Sequence, residues 1–387
     1  MANNKDFKVK NGIQPTAYHE GLGTVSLAGG VATLDLSTGS VFEITPTSDI
    51  QIGLSNPADS GTVSQATLLL DGANTNTFDL SIASYDNASY AVTNEISNAN
   101  PFGIALDNTG TKMYVLATIN DTVYQYDLST AWDVSTASYS SKSFSVTSTA
   151  PEPEAIRFKA DGTKMYVTDK NVHEVNEYSL STAWDVSTAS HSTVFSVSSQ
   201  GSEPSGLDFK TDGTKMYVQF ASGTDSIAEY NLSTAWDIST ATYSQNSTTI
   251  DATPNTSGIM FKPDGTALYT MSRVTTDAIN EYLLSTAWDV STLSYNQNFL
   301  VGTQEGEPTD LYIKPDGDKF YIVGYSQDTV FQYSMASSAT ITYDSTLQWG
   351  GGTAPDSPAA NETDVLTFST RDGGTTYQAA IAIDGAA

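Results

Sequence analysis

Five residues spaced 51 or 52 positions apart, Asn100, Glu152, Glu203, Asn255 and Glu307, are the first groups in this chain whose pattern chemistry could use. Three carboxylates and two amides are hard oxygen ligands. If they converge they suit Ca2+ or another cation, with Glu152, Glu203 and Glu307 as the charged set, or they hydrogen-bond a sugar. Proline follows four of them, so each equally reads as a turn entering a strand with its side chain in water. Three aromatics expected on the same side, Phe102, Phe220 and Tyr325, either stack on sugar rings or pack between repeats. Catalysis has thinner support. His19, His173 and His191 share no register, so no convergent triad or histidine-rich metal centre emerges. Glu152 with Glu203 imitates a glycosidase pair, but as equivalent positions in successive repeats. The Asp-Gly sequences lack the full calcium-loop pattern and read as turns.

The elements that must position these residues repeat. Leu-Ser-Thr-Ala-Trp-Asp recurs with tryptophans at Trp132, Trp184, Trp236 and Trp288, each 52 residues after the last. A turn glycine recurs at Gly110, Gly162, Gly213, Gly265 and Gly317, each followed by a tyrosine: Tyr114, Tyr166, Tyr217, Tyr269 and Tyr321. A second tyrosine series is Tyr126, Tyr178, Tyr230, Tyr282 and Tyr333. Each unit except the last holds four strand-like runs, in the second unit 155–159, 164–169, 174–180 and 189–197. Four antiparallel strands per repeat of this length describe a propeller blade. The fifth unit supplies only three runs, while Ala83-Ser84-Tyr85 and Ser89-Tyr90-Ala91-Val92-Thr93 upstream match the outer strand of the first complete blade. The expected fold is therefore all-β: a five-bladed β-propeller over 77–335, whose last blade is closed by an N-terminal strand. The flanks, 20–76 and 336–387, are too short alone. Together they are expected to form a small β-sandwich into which the propeller is inserted, behind an N-terminal arm over 1–19.

Propeller topology sorts the loops. The near-identical turns and the tryptophan segments, expected to wedge between blades, fall on one face. Loops 116–121, 168–173, 219–225, 271–277 and 323–328, different in every blade, fall on the other. The flanking domain is expected to join the repetitive face, leaving the variable one outward.

Composition narrows the partners. Sixteen basic against 44 acidic residues leave a net charge of -28, which repels nucleic acid and anionic membranes. With no cysteine there is no disulfide frame, thiolate site or cysteine nucleophile. No stretch approaches the roughly 20 apolar residues of a membrane span, so no membrane insertion is expected. The polar start carries no secretory signal, and synthesis in a cytoplasm without general export is expected.

The repeat, with Lys262-Pro263-Asp264-Gly265-Thr266 and Lys164-Met165-Tyr166-Val167, resembles the YVTN-type propeller of bacterial and archaeal surface proteins over residues 82–334. The flanks resemble a modular β-domain of structural proteins from marine tailed bacteriophages, particularly those infecting cyanobacteria. The residues are Asp6-Phe7-Lys8-Val9-Lys10-Asn11-Gly12, Trp349-Gly350-Gly351-Gly352-Thr353-Ala354-Pro355, Glu362-Thr363-Asp364-Val365 and Asp372-Gly373-Gly374-Thr375-Thr376. This second resemblance implies a non-enzymatic protein on the virion surface, a tail fibre or capsid decoration. Its partners would be other virion proteins, copies of itself in a homo-oligomer, and a host surface glycan or receptor. The alternatives are a polysaccharide-degrading propeller enzyme of a virion and a YVTN-type cell-surface adhesin.

Overall fold

A computed structural model describes residues 22–386 except 47–48, 73, 77, 95, 97–98, 222–224, 248–249, 251–255, 274–275, 336, 339 and 359–361. The arm expected over 1–19 lies outside the described residues. The chain divides into two compact units, Met1–Asn76 with Ser337–Ala387, and Thr77–Ala336.

The first unit has two mixed sheets. One contains Val25–Ala28, Val31–Asp35, Ile50–Ser55 and Ile341–Tyr343; the other contains Leu347–Trp349, Tyr377–Ala386, Thr363–Thr370, Ser64–Asp71 and Val41–Ile44. Alternation decides which side is buried: along Thr363–Thr370 every second residue points inward. Leu34, Ile52 and Ile341 from one sheet and Phe42, Leu68, Leu366 and Phe368 from the other make one core.

The second unit is a ring of five four-stranded antiparallel sheets. Its first blade is Pro101–Leu106, Lys112–Ala117, Thr122–Leu128 and Ala137–Ser145, from axis to rim. The fifth blade has Pro308–Ile313, Lys319–Gly324 and Thr329–Ser334, and takes Ser84–Ala91 as its outer strand. Tyr85 lies opposite Tyr333, and Tyr90 opposite Val330. The ring is therefore sealed by the borrowed strand that the repeat register required. The borrowing begins earlier than the sequence match at Ala83. Phe78-Asp79-Leu80-Ser81 occupies the place of Trp-Asp-Val-Ser, with Asp79 capping a short 3-10 turn as Asp133, Asp185, Asp237 and Asp289 do.

Each tryptophan is held by a small set of reciprocal contacts. The turn glycine has positive φ, 73° at Gly213, and the indole lies flat against it; an added Cβ there would come within 2.1 Å of the Trp236 ring. Trp236 itself sits at φ 63°, a left-handed conformation that costs a side-chain-bearing residue about 1–2 kcal/mol. Two hydrogen bonds offset this: its N–H donates to the Gly213 carbonyl at 2.9 Å, and its carbonyl accepts from the Tyr166 hydroxyl of the preceding blade at 2.7 Å. The same hydroxyl-to-carbonyl bond joins Tyr114 to Trp184, Tyr217 to Trp288, Tyr321 to Trp132 and Tyr269 to Phe78. Five equivalent seams bind the ring, with Phe78 replacing tryptophan in the fifth. The tryptophans are thus interblade wedges.

The axis is closed by a group that does not repeat. Arg157, on the innermost strand of the second blade, is buried and reaches across the ring. Its two terminal nitrogens donate to the carbonyls of Ile104, Ile156, Ile259 and Leu311, from four different blades, at 2.7–3.3 Å. They also form a two-pronged pair with the Asp310 carboxylate at 2.9 and 3.1 Å. Asp310 further accepts the N–H groups of Ile104 and Leu311. Inner-strand carbonyls that face the axis rather than a neighbouring strand need such donors.

Arg157→Leu is expected to lower unfolding free energy by about 3–5 kcal/mol, because it strands the Asp310 charge and frees the carbonyls. Adding Asp310→Gly, the residue type at this register in three other blades, should restore a substantial part of that loss. Denaturant melts of the two single variants and the double variant measure the coupling. A strictly additive cycle contradicts the account.

Candidate functional site

The Arg157–Asp310 pair divides the channel into two mouths. The variable-loop mouth is the one where the sequence places its candidate residues, and the structure sorts them unevenly. Asn100 is a turn residue at φ 43°; its N–H donates to Asp328 and its carbonyl accepts from Thr118. Glu152 is exposed, and its backbone N–H donates to the buried Asp169. Glu203 adopts φ 60° and its carboxylate stands 3.9 Å from Lys170. Glu307 accepts from the Tyr325 hydroxyl, while its own N–H is held by buried Glu305 at 2.9 Å. Asn255 lies outside the described residues.

The structure does not bring together the cation set expected at Glu152, Glu203 and Glu307: Glu203 faces Lys170 and Glu307 accepts from Tyr325, and among the described residues no group of three or more acidic or histidine side chains is placed to hold a metal ion. Two cations, Lys170 and Arg273, stand in this mouth. Lys170 lies 3.6 Å from Glu154, and Arg273 stands 5.5 Å from the Phe102 ring centre.

Glu154, missed in the sequence, is a further buried carboxyl of this mouth. Burial pushes it up to about 7, with Lys170 and Arg273 pulling it back down. Its register equivalents are Phe102, Ser205, Ser257 and Thr309. The departure from hydroxyl residues at this position was the available signal.

The aromatics also separate. Phe102 and Tyr325 come together across the blade boundary, rings parallel within 5° and centres 5.6 Å apart. Phe220 does not join them. It is 1% exposed and packs over Gly201, where a Cβ would lie 2.6 Å from its ring. Its expected stacking role is withdrawn, because no ring face is free.

Beside Phe102 opens a cavity of about 240 Å³ between the first two blades, lined by Thr118, Asp121, Glu152, Glu154 and Lys170. Burial likewise raises the Asp121 carboxyl, against a hydrogen bond from Thr147 that lowers it. An aromatic edge, a hydroxyl, carboxyls and one ammonium supply apolar contact together with donors and acceptors in one small volume. That combination can hold a polyhydroxylated ring.

A carboxyl raised in the folded state binds its proton more tightly there than in the unfolded chain. It therefore favours folding below its unfolded value and loses that contribution as pH rises to its folded one. Glu154→Gln should consequently unfold like the parent near pH 4.5. Above pH 7 it should be more stable by about 1–3 kcal/mol. Melting curves across that interval test the difference, and a gap that stays constant with pH contradicts it. No family model matches this chain, and no curated protein does. Among solved structures it is similar to a putative 6-phosphogluconolactonase from Bacteroides uniformis, at 16% identity and TM-score 0.38, covering 61% of this chain and 68% of that one. A second so named, from Bacteroides fragilis, gives 14% identity and TM-score 0.39 over 61% and 67%. A protein from Lactobacillus plantarum gives 17% identity and TM-score 0.39 over 67% and 72%.

Proposed function

We propose that this protein is a non-enzymatic binding component of a tailed-phage virion surface, a tail fibre or capsid decoration. Its split β-unit anchors it to other virion proteins, and its propeller offers the variable mouth to a host surface glycan. The observation that carries the binding role is the pairing of Phe102 with Tyr325 beside the cavity that holds Glu154 and Lys170. Ring surface and polar groups meet there, where Phe102 and Glu154 at the heads of inner strands adjoin Tyr325 and Lys170 of loops that differ from blade to blade. The virion setting, the homo-oligomer and the cytoplasmic synthesis rest on the resemblance of the flanking segments to phage structural proteins. The net charge of -28 supports partners that are neither nucleic acid nor anionic membrane.

The buried Glu154 carboxyl, near 7, favours one second reading, a glycan-cleaving enzyme that uses this group as an acid. One experiment separates the two. Purified full-length protein is applied to an array of bacterial surface polysaccharides, and the same polysaccharides are assayed for new reducing ends or unsaturated sugars. Saturable binding without cleavage is expected, weakened about tenfold by Phe102→Ala or Tyr325→Ala, as loss of one stacking contact of about 1.4 kcal/mol requires. Asn108→Ala, on the opposite face, should bind as the parent does. Cleavage that Glu154→Gln abolishes establishes the enzyme instead. Binding indifferent to both aromatic variants removes the site. Antibody labelling of intact particles tests the virion role separately, by locating the chain on tail, capsid or neither.

A further inference from the structure

The second mouth of the channel, on the repetitive face, has a chemistry of its own. Three successive blades each contribute a phenylalanine from the end of the innermost strand, Phe158, Phe209 and Phe261, and the tryptophan packed beside it, Trp184, Trp236 and Trp288. Ring centres within each pair are 5.1–5.4 Å apart. Together they line a bowl of about 270 Å³ whose floor includes Asp208, Met260, Tyr312 and the axial Arg157.

Charge on that floor is unbalanced. Arg157 is committed to Asp310 in a two-pronged pair. Asp208 instead accepts two backbone N–H groups, from Phe209 at 2.8 Å and Phe261 at 2.7 Å, and forms no ion pair of its own among the described residues. Burial pushes its carboxyl up to about 6 although Arg157 pulls it down. A bowl walled by aromatic rings over one carboxylate repels anions, and its walls offer a metal ion few oxygen ligands. It suits a cation that carries its own apolar surface. The same ring of positions already attracts cations elsewhere: Lys314 sits 5.5 Å from the Trp132 ring centre, and Lys262 sits 5.5 Å from that of Phe78.

We propose that this bowl is a binding site for a small organic cation of the substituted-ammonium class, its methyl or methylene groups against Trp184, Trp236 and Trp288 and its charge facing Asp208. This site lies on the face opposite the glycan-binding mouth and does not depend on that reading. Four of the five tryptophans stand on this face and Trp349 lies in the other unit, so indole fluorescence reports on it directly.

The test titrates full-length protein with choline, with its uncharged isostere 3,3-dimethylbutan-1-ol, and with sodium chloride at matched ionic strength. Choline is expected to change the fluorescence saturably, and the isostere to bind at least tenfold more weakly. Asp208→Asn and Trp236→Leu should each weaken choline at least tenfold. The isostere comparison uses the unaltered protein, so it stands even if a variant misfolds. Equal binding of choline and isostere, or no saturation by choline across a millimolar series, overturns the proposal.

Discussion

A propeller of five blades brings five inner strands together around a narrow axis, and each presents backbone groups that no sixth strand can pair. Satisfying those groups is the constraint on which the rest depends. Here one guanidinium meets part of it, donating to one carbonyl in each of four blades while Asp310 balances its charge. Taking both ions out of water costs several kcal/mol per ion. Two-pronged geometry and full use of the terminal N–H groups offset that cost, which a lysine, as a point charge with three donors, would meet less well. The result also partitions the molecule. The channel is not a passage, and each mouth is a separate pocket with its own charge.

Away from the axis, stability is delivered in equal portions. Every seam uses one tyrosine hydroxyl, one carbonyl held in place by a left-handed aromatic residue, and one glycine beneath its ring. None of these groups belongs to the loops between second and third strands. Those loops can therefore change without loosening the ring. A face that varies and a face that repeats are two consequences of one division of labour. At the rim, the pairing between third and outermost strands shifts register at the same point in all five blades, which blunts the edge against pairing with other chains.

Much of this was legible in the residues. The tryptophan, glycine and tyrosine series determine blade number, strand order and the closing strand, because each recurs where packing demands the same shape. Phe78 escaped notice since Phe-Asp-Leu-Ser departs from Trp-Asp-Val-Ser at two of four positions, although the backbone treats them alike. Arg157 and Asp310 carry no repeat signal, because each breaks its register. Asp310 stands where other blades have Gly103, Ala155, Gly206 and Gly258, and Arg157 where they have Ala105, Asp208, Met260 and Tyr312. Such departures on an inner strand are the signal for an axial group. The register placed Asn100, Glu152, Glu203 and Glu307 correctly along the chain, yet register carries no direction. Positive φ at Asn100 and Glu203 belongs to turns, and the buried seat falls to Glu154, two residues beyond Glu152.

Broken symmetry also decides how the two mouths differ. At the variable mouth, carboxyls outnumber cations, but Lys170 and Arg273 stand among them and burial raises one carboxyl to about 7. Any ligand there meets groups of both signs and must exchange hydrogen bonds with them, which rewards a polar, uncharged surface. At the opposite mouth, the axial arginine is turned toward Asp310, so Asp208 is left with two backbone donors under an aromatic wall. Uniform repeats would have given each mouth the same groups from all five blades. The arginine's pairing with Asp310 leaves Asp208 to the aromatic mouth, while Glu154 and Lys170 give the variable mouth groups of both signs.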